Sequence, residues 1–75
     1  MDMAYYKRHY STMLGEIYGV ILSHNVLFDG ETEPLSVLEI YYTKYGVNNK
    51  LVQTYDDPQE CCARYEAICE LMEGV

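Results

Sequence analysis

An aspartate followed by a proline, at positions 57 and 58, divides this chain into two kinds of periodicity. Ahead of the pair, apolar residues mostly alternate with polar ones. Behind it, they recur at three and four. The second pattern is a helix with a defined start. Asp57 can accept the free amides of a first turn. Pro58 falls at the first helical position, where its missing N–H costs nothing. Glu60, three after the cap, completes a capping-box-like arrangement with Asp in place of Ser or Thr. Cys61 and Cys62, Tyr65, Ile68 and Cys69, and Met72 then make an apolar stripe. Gly74 is a natural stop. The spacing predicts a helix over about 57–73. Its outside is acidic, with Glu66, Glu70 and Glu73 down one side and Arg64 placed to pair with Glu60 one turn earlier.

The alternating part reads as strands. "LSVLEIYYTKY" is rich in β-branched and aromatic residues, "KLVQTY" is a shorter partner, and "GVNN" between them tolerates positive φ, so the three together predict a hairpin. Val37, Glu39, Tyr41 and Thr43 share one face of the first strand. Leu38, Ile40, Tyr42 and Lys44 share the other, which is the more apolar and is assigned to the core. "EIYGVILSHNVLFDG" predicts a strand over about 16–28, bent or broken near "SHN", with Tyr18, Val20, Leu22, Val26 and Phe28 on one face. "DGETEP" follows as a loop, with Gly30 and Pro34 as breakers. Residues 5–14 fit two patterns. Tyr6, Tyr10, Met13, Leu14 and Ile17 lie on one helical face, yet "AYYKRHYST" also reads as an edge strand. The turn-like "MLGE" favours the strand, and Lys7 and Arg8 would then discourage sheet-to-sheet pairing. An antiparallel sheet needs a cover for its apolar face. The expectation is therefore an α+β fold: a three- or four-stranded antiparallel sheet covered by a C-terminal helix, in one domain over 1–75.

Such a short chain has a marginal core. Nearly half its residues are nevertheless apolar, and with nine Tyr among ten aromatics it is unlike a disordered segment. Tyrosine carries a hydroxyl that needs a partner or water, which suits residues lying between a core and a surface. The net charge is −7, and all of it arises from Val26 onward, where ten acids meet Lys44, Lys50 and Arg64. A surface of this sign repels phosphate backbones, so direct nucleic-acid binding is disfavoured and a basic partner is favoured. Solubility is the plainer use of the same charge.

Motifs for catalysis are sparse. Cys61, Cys62 and Cys69 all fall on the one predicted helix. Cys62 and Cys69 stand roughly 10 Å apart along its axis, beyond the reach of a disulfide. A reducing cytosol is the compartment this implies. The opening "MDMAYYKRHY" has no apolar core of a signal peptide, and "VIL" is far too short to span a membrane. No CxxC pair exists and the two histidines, His9 and His24, are remote in sequence, so neither a metal nor another cofactor is expected. A thiol near the helix start would gain from a histidine beside it. However, Asp56, Asp57 and Glu60 surround that end, and negative charge works against a thiolate. Glu31 and Glu33 lie in a loop where nothing would bury them.

What remains is grouped acidity with tyrosines. Neighbouring carboxylates of Glu66, Glu70 and Glu73 lie about 5–6 Å apart on a helix, close to the separation of phosphates along a nucleic-acid strand. A cleft lined with Lys and Arg could accept such a helix. In length, acidity, tyrosine content and outline, the strands "EIYGVIL", "SVLEIYYTKYG" and "KLVQTYDD" with the helix "DPQECCARYEAICELM" resemble the small phage-encoded inhibitors of host defence, anti-CRISPR proteins among them. The resemblance implies a mode and no residue roles: binding a nuclease complex at a basic channel, without catalysis, in the host cytoplasm. The expected partner is a basic protein such as a CRISPR effector complex. Helix charge would come from Glu66, Glu70 and Glu73. Loop charge would come from Asp29, Glu31, Glu33, Asp56 and Asp57, and anchoring from Tyr5, Tyr41 and Tyr45. The alternative is a structural or adaptor domain that homodimerises through a tyrosine-rich sheet face.

Overall fold

The computed structural model describes residues 3–6, 15–73 and the backbone of 10–12. The strands are β1 (Met3–Tyr6), β2 (Tyr10–Thr12), β3 (Gly15–Val26), β4 (Leu35–Lys44) and β5 (Val47–Tyr55), followed by the helix α1 (Pro58–Glu73). All pairings are antiparallel. β3 and β4 lie at the centre, β5 forms one edge, and β1 and β2 follow one another along the far edge of β3. The architecture is thus a four-stranded open antiparallel sheet with one C-terminal helix, as expected for the α+β class. The strand reading of the N-terminal segment holds over β1 and β2. The proposed role of Lys7 and Arg8, the turn residues Met13 and Leu14, and the stop at Gly74 lie outside the described residues.

α1 begins where its cap dictates. The Gln59 amide donates to Asp57 Oδ1 at 2.9 Å, and the Cys61 amide closes on the Asp57 carbonyl at 3.2 Å. The first of these satisfies an otherwise orphaned donor of the first turn, and the second is the first regular bond of the helix. Cys61, Ile68 and Met72 are buried against Ile17, Val20, Leu22, Leu38 and Ile40 of the sheet. Ala4, Tyr6, Tyr42, Tyr55, Cys62, Tyr65 and Cys69 close the margins of this core. Leu38, Val20 and Cys61 are fully buried. Each such aliphatic side chain contributes about 1.5–3 kcal/mol by leaving water. Arg64 forms no ion pair with Glu60 among the described residues.

Two β-bulges overturn part of the face assignment. In β3, Ile17 pairs with Tyr42 and Gly19 with Tyr41, so Tyr18 is an extra residue; a second irregularity separates Ser23–Val37 from Val26–Leu35. Each extra residue shifts the alternation by one. Ile17 therefore joins Val20 and Leu22 under the helix. Tyr18 turns to the opposite face, where its ring lies 6.2 Å from that of Tyr41. Val26 and Phe28 also leave the core face and line a hollow with Val37, Glu39, Lys50 and Val52 on the helix-free side. Asn25, with φ of 59°, takes up the bend in the second bulge.

The hairpin turn is likewise tighter than expected. It comprises Tyr45 and Gly46, with φ of 54° and 75°, closed by the Lys44–Val47 pair. Positive φ at both central positions defines the primed two-residue turn whose twist matches its strands. Val47, Asn48 and Asn49, expected in the turn, belong to β5 instead. At the same end of β4, Thr43 faces Gly15, whose φ is 119° and whose missing Cβ would lie 2.3 Å from the Thr43 carbonyl oxygen. Only glycine fits there.

Candidate functional site

The strand directions decide where the acids gather. β3 ends and β4 begins at the same end of the sheet, and β5 delivers the chain to α1 there, since Val26 pairs with Leu35 and Ser36 with Tyr55. Asp29, Glu31 and Glu33 of the β3–β4 loop therefore share that end with Asp56, Asp57 and Glu60 of the helix start. All of these residues are exposed. The loop turns tightly, with the Glu31 amide bonded to the Phe28 carbonyl at 3.0 Å and Gly30 at φ of 84°. The positive end of the helix dipole faces this acidic group. Asp57 has a structural duty as well, because its carboxylate is the cap.

From that end Glu66, Glu70 and Glu73 run down the helix, exposed on the side away from the core. Their charge is felt locally. Burial pushes the Cys69 thiol up, the Tyr65 hydrogen bond opposes this, and the charges of Glu73 and Glu66 add to the rise. The predicted acids are thus all exposed, those of the helix along α1 and those of the loop at the end of the sheet where α1 begins.

The predicted tyrosines lie elsewhere. Tyr5 and Tyr41 are on the helix-free face, where they frame a hollow with Tyr18, Gly19 and Ile21. Tyr5 is 58% exposed. Tyr41 is half-buried and its hydroxyl donates to Glu39 Oε2 at 2.8 Å. That hydrogen bond, with burial and the Glu39 charge behind it, raises the Tyr41 phenol above its ordinary value. Glu39 is also 3.6 Å from Lys50 Nζ. Tyr45 is 93% exposed at the hairpin tip, at the end of the sheet opposite the loop acids, with Lys44 Nζ 5.5 Å from its ring centre. The sheet lies between the helix acids Glu66, Glu70 and Glu73 and the pair Tyr5 and Tyr41. Acids and tyrosines are therefore two surfaces and not one patch.

The histidine that the sequence reading weighed beside a thiol at the helix start, and set aside because of the acids there, is present. The His24 imidazole lies between β4 and the helix, with Nδ1 2.7 Å from Ser36 Oγ and Nε2 3.3 Å from Cys62 Sγ. Thirty-eight positions separate Cys62 from His24. Local spacing carries no sign of the contact. The signal that could have found it is the placement of His24 beside "SHN", where the bulge occurs, opposite the first turn of the helix. Cys61 next door is sealed in the core, and burial pushes its thiol up. All three cysteines are free thiols.

Among the described residues no helix is long and apolar enough to cross a membrane, and no group of His, Cys, Asp and Glu is arranged to hold a metal. Comparison with protein-family models, curated proteins and solved structures finds no match.

Proposed function

We propose that this protein is a non-enzymatic, anti-CRISPR-type inhibitor whose acidic helix side occupies a basic nucleic-acid-binding cleft of a nuclease complex. The observation that supports it is the exposed row Glu66–Glu70–Glu73 on the helix that begins among Asp56, Asp57 and Glu60. A folded scaffold holds these carboxylates at fixed intervals, so a cationic cleft meets them without ordering a flexible chain. Steering of oppositely charged surfaces would speed the encounter. The helix packs by its other face, which leaves this side free to enter a groove.

The test is displacement of labelled DNA from a panel of purified CRISPR nuclease complexes, followed by anisotropy. The reading expects at least one complex to lose DNA in the presence of the protein. Raised salt or the triple change Glu66→Lys, Glu70→Lys, Glu73→Lys should restore binding. DNA retained by every complex, or equal displacement by the reversed variant, would contradict it. The helix-free face supports a second reading, self-association. Tyr5, Tyr18, Ile21 and Tyr41 there form an aromatic and aliphatic hollow, and Tyr5 is well exposed. Sedimentation would then show a salt-resistant dimer that dissociates on Tyr5→Ser and Tyr41→Ser.

A further inference from the structure

Three elements converge on one imidazole. His24 comes from the bulged end of β3, Ser36 from the start of β4, and Cys62 from the first turns of α1. Ser36 is buried at 3% exposure, whereas His24 and Cys62 are only partly covered. The inner end of the chain is fixed by packing and its sulfur end is within reach of solvent. Two tautomers satisfy both contacts. In one of them Nδ1–H donates to Ser36 Oγ at 2.7 Å, and Nε2 is left to accept the thiol proton across 3.3 Å. A nucleophile, a base in hydrogen-bond reach and a third group orienting the base are the recurring components of an activated thiol.

The same helix carries its own controls. Cys61 is sealed in the core, and the Cys69 thiol is held up chiefly by burial. The thiolate is the reactive form of cysteine. Among the described residues, Cys62 alone of the three has an imidazole within reach to take its proton. Asp56, Asp57 and Glu60 precede Cys62 in the chain and Glu66 lies one turn on, all of them exposed. Moving a proton from Sγ to Nε2 leaves the net charge of the pair unchanged. The carboxylates act on whatever approaches from solvent, disfavouring anions and favouring cations.

We propose that Cys62, with His24 as its base and Ser36 as a positioning residue, is a thiol–disulfide exchange site for small neutral or cationic disulfides. Cys62 Sγ attacks one sulfur of the incoming disulfide while its proton passes to His24 Nε2. The new S–S bond joins Cys62 to half of the reagent, and the old S–S bond breaks. The other half leaves as a thiolate and collects the proton from His24. One disulfide is consumed and one formed, so no further oxidant is required.

The experiment exposes the intact protein to cystamine, a dication, and separately to the dianion 3,3′-dithiodipropionate. Modification of each cysteine is timed by peptide mass spectrometry. Cys62 is expected to react with cystamine about tenfold faster than Cys69, and about tenfold faster than with the dianion. His24→Gln should bring Cys62 down to the Cys69 rate without changing Cys69. Ser36→Ala should slow Cys62 about threefold, with recovery in Ser36→Thr, which keeps the hydroxyl. Continued protection of Cys61 reports that a variant is folded. If His24→Gln exposes Cys61, the wild-type comparison of Cys62 with Cys69 decides by itself. Equal rates at those two positions, or a folded His24→Gln variant with an undiminished Cys62 rate, would overturn the proposal. Equal rates with the two reagents would overturn its charge preference.

Discussion

The two faces of the sheet are built from alternate residues of the same strands, yet different things close them. Leu38 and Val37 are neighbours in β4 and point to opposite sides. Leu38 is fully buried beneath the helix with Cys61, Ile68 and Met72. Val37 is also buried, at 5% exposure, although no helix lies on its side. It sits in a hollow framed by Val26 and Phe28, which the second bulge has moved across the sheet. One face is closed by a regular element and the other by residues displaced from a strand. The first is a continuous core. The second is a patchwork of a local apolar cluster, tyrosines and polar pairs such as Tyr41 with Glu39 along β4 and Thr43 with Asn48 across to β5.

If that contrast is correct, Leu38→Ala should be the most damaging single change, costing about 3 kcal/mol in urea unfolding. Val37→Ala, one residue away, should cost only about 1.5 kcal/mol. Equal losses would mean that the helix-free face is as well packed as the core. Gly15→Ala tests the corner where the sheet's N-terminal edge meets β4. The added methyl meets the Thr43 carbonyl and the backbone has positive φ, so about 2 kcal/mol should be lost.

Alkaline pH sharpens the comparison on the helix side. Burial, with the Cys69 hydrogen bond and charge behind it, pushes the Tyr65 phenol up to about 12. A group raised in the folded state binds its proton more tightly there than in the unfolded chain. Its contribution is present in full below the ordinary value near pH 10 and is lost as pH rises towards the folded value. Urea midpoints should therefore fall over that window, and Tyr65→Phe should flatten the fall. Loss of stability that is unchanged in the variant would place Tyr65 outside the core margin. The smallest effect is expected at the hairpin tip. Tyr45 holds a left-handed conformation that Asn adopts more readily, so Tyr45→Asn should stabilise by about 0.5 kcal/mol.

How much of this could be read in advance differs between the two faces. The helix was legible from Asp57 and Pro58, because a cap and a proline act within one turn and need no tertiary context. Leu38, Ile40, Val20 and Leu22 were legible because simple alternation holds across them. Tyr18, Val26 and Phe28 were misassigned for the reason that alternation fails at a bulge, and a bulge is set by the strand on the other side. The turn was misplaced because "GVNN" offers the favoured residue types, whereas register places Tyr45 in a conformation tyrosine rarely takes. The acids were found as exposed groups on a helix and a loop. The separation of the helix acids from Tyr5 and Tyr41 by the thickness of the sheet depended on the phase of each strand. The contact of Cys62 with His24 depended on both bulge and packing, and so was out of reach of any local pattern.

That separation gives the proposed function its sharpest test. The helix side carries Glu66, Glu70 and Glu73 and the helix-free side carries Tyr5 and Tyr41, so each set can be altered without the other. In the DNA-displacement assay with CRISPR nuclease complexes, Glu66→Lys, Glu70→Lys, Glu73→Lys is compared with Tyr5→Ser, Tyr41→Ser. The account predicts that the first variant loses its inhibition and the second retains it. Inhibition kept by the charge-reversed helix and lost from the tyrosine variant would contradict it.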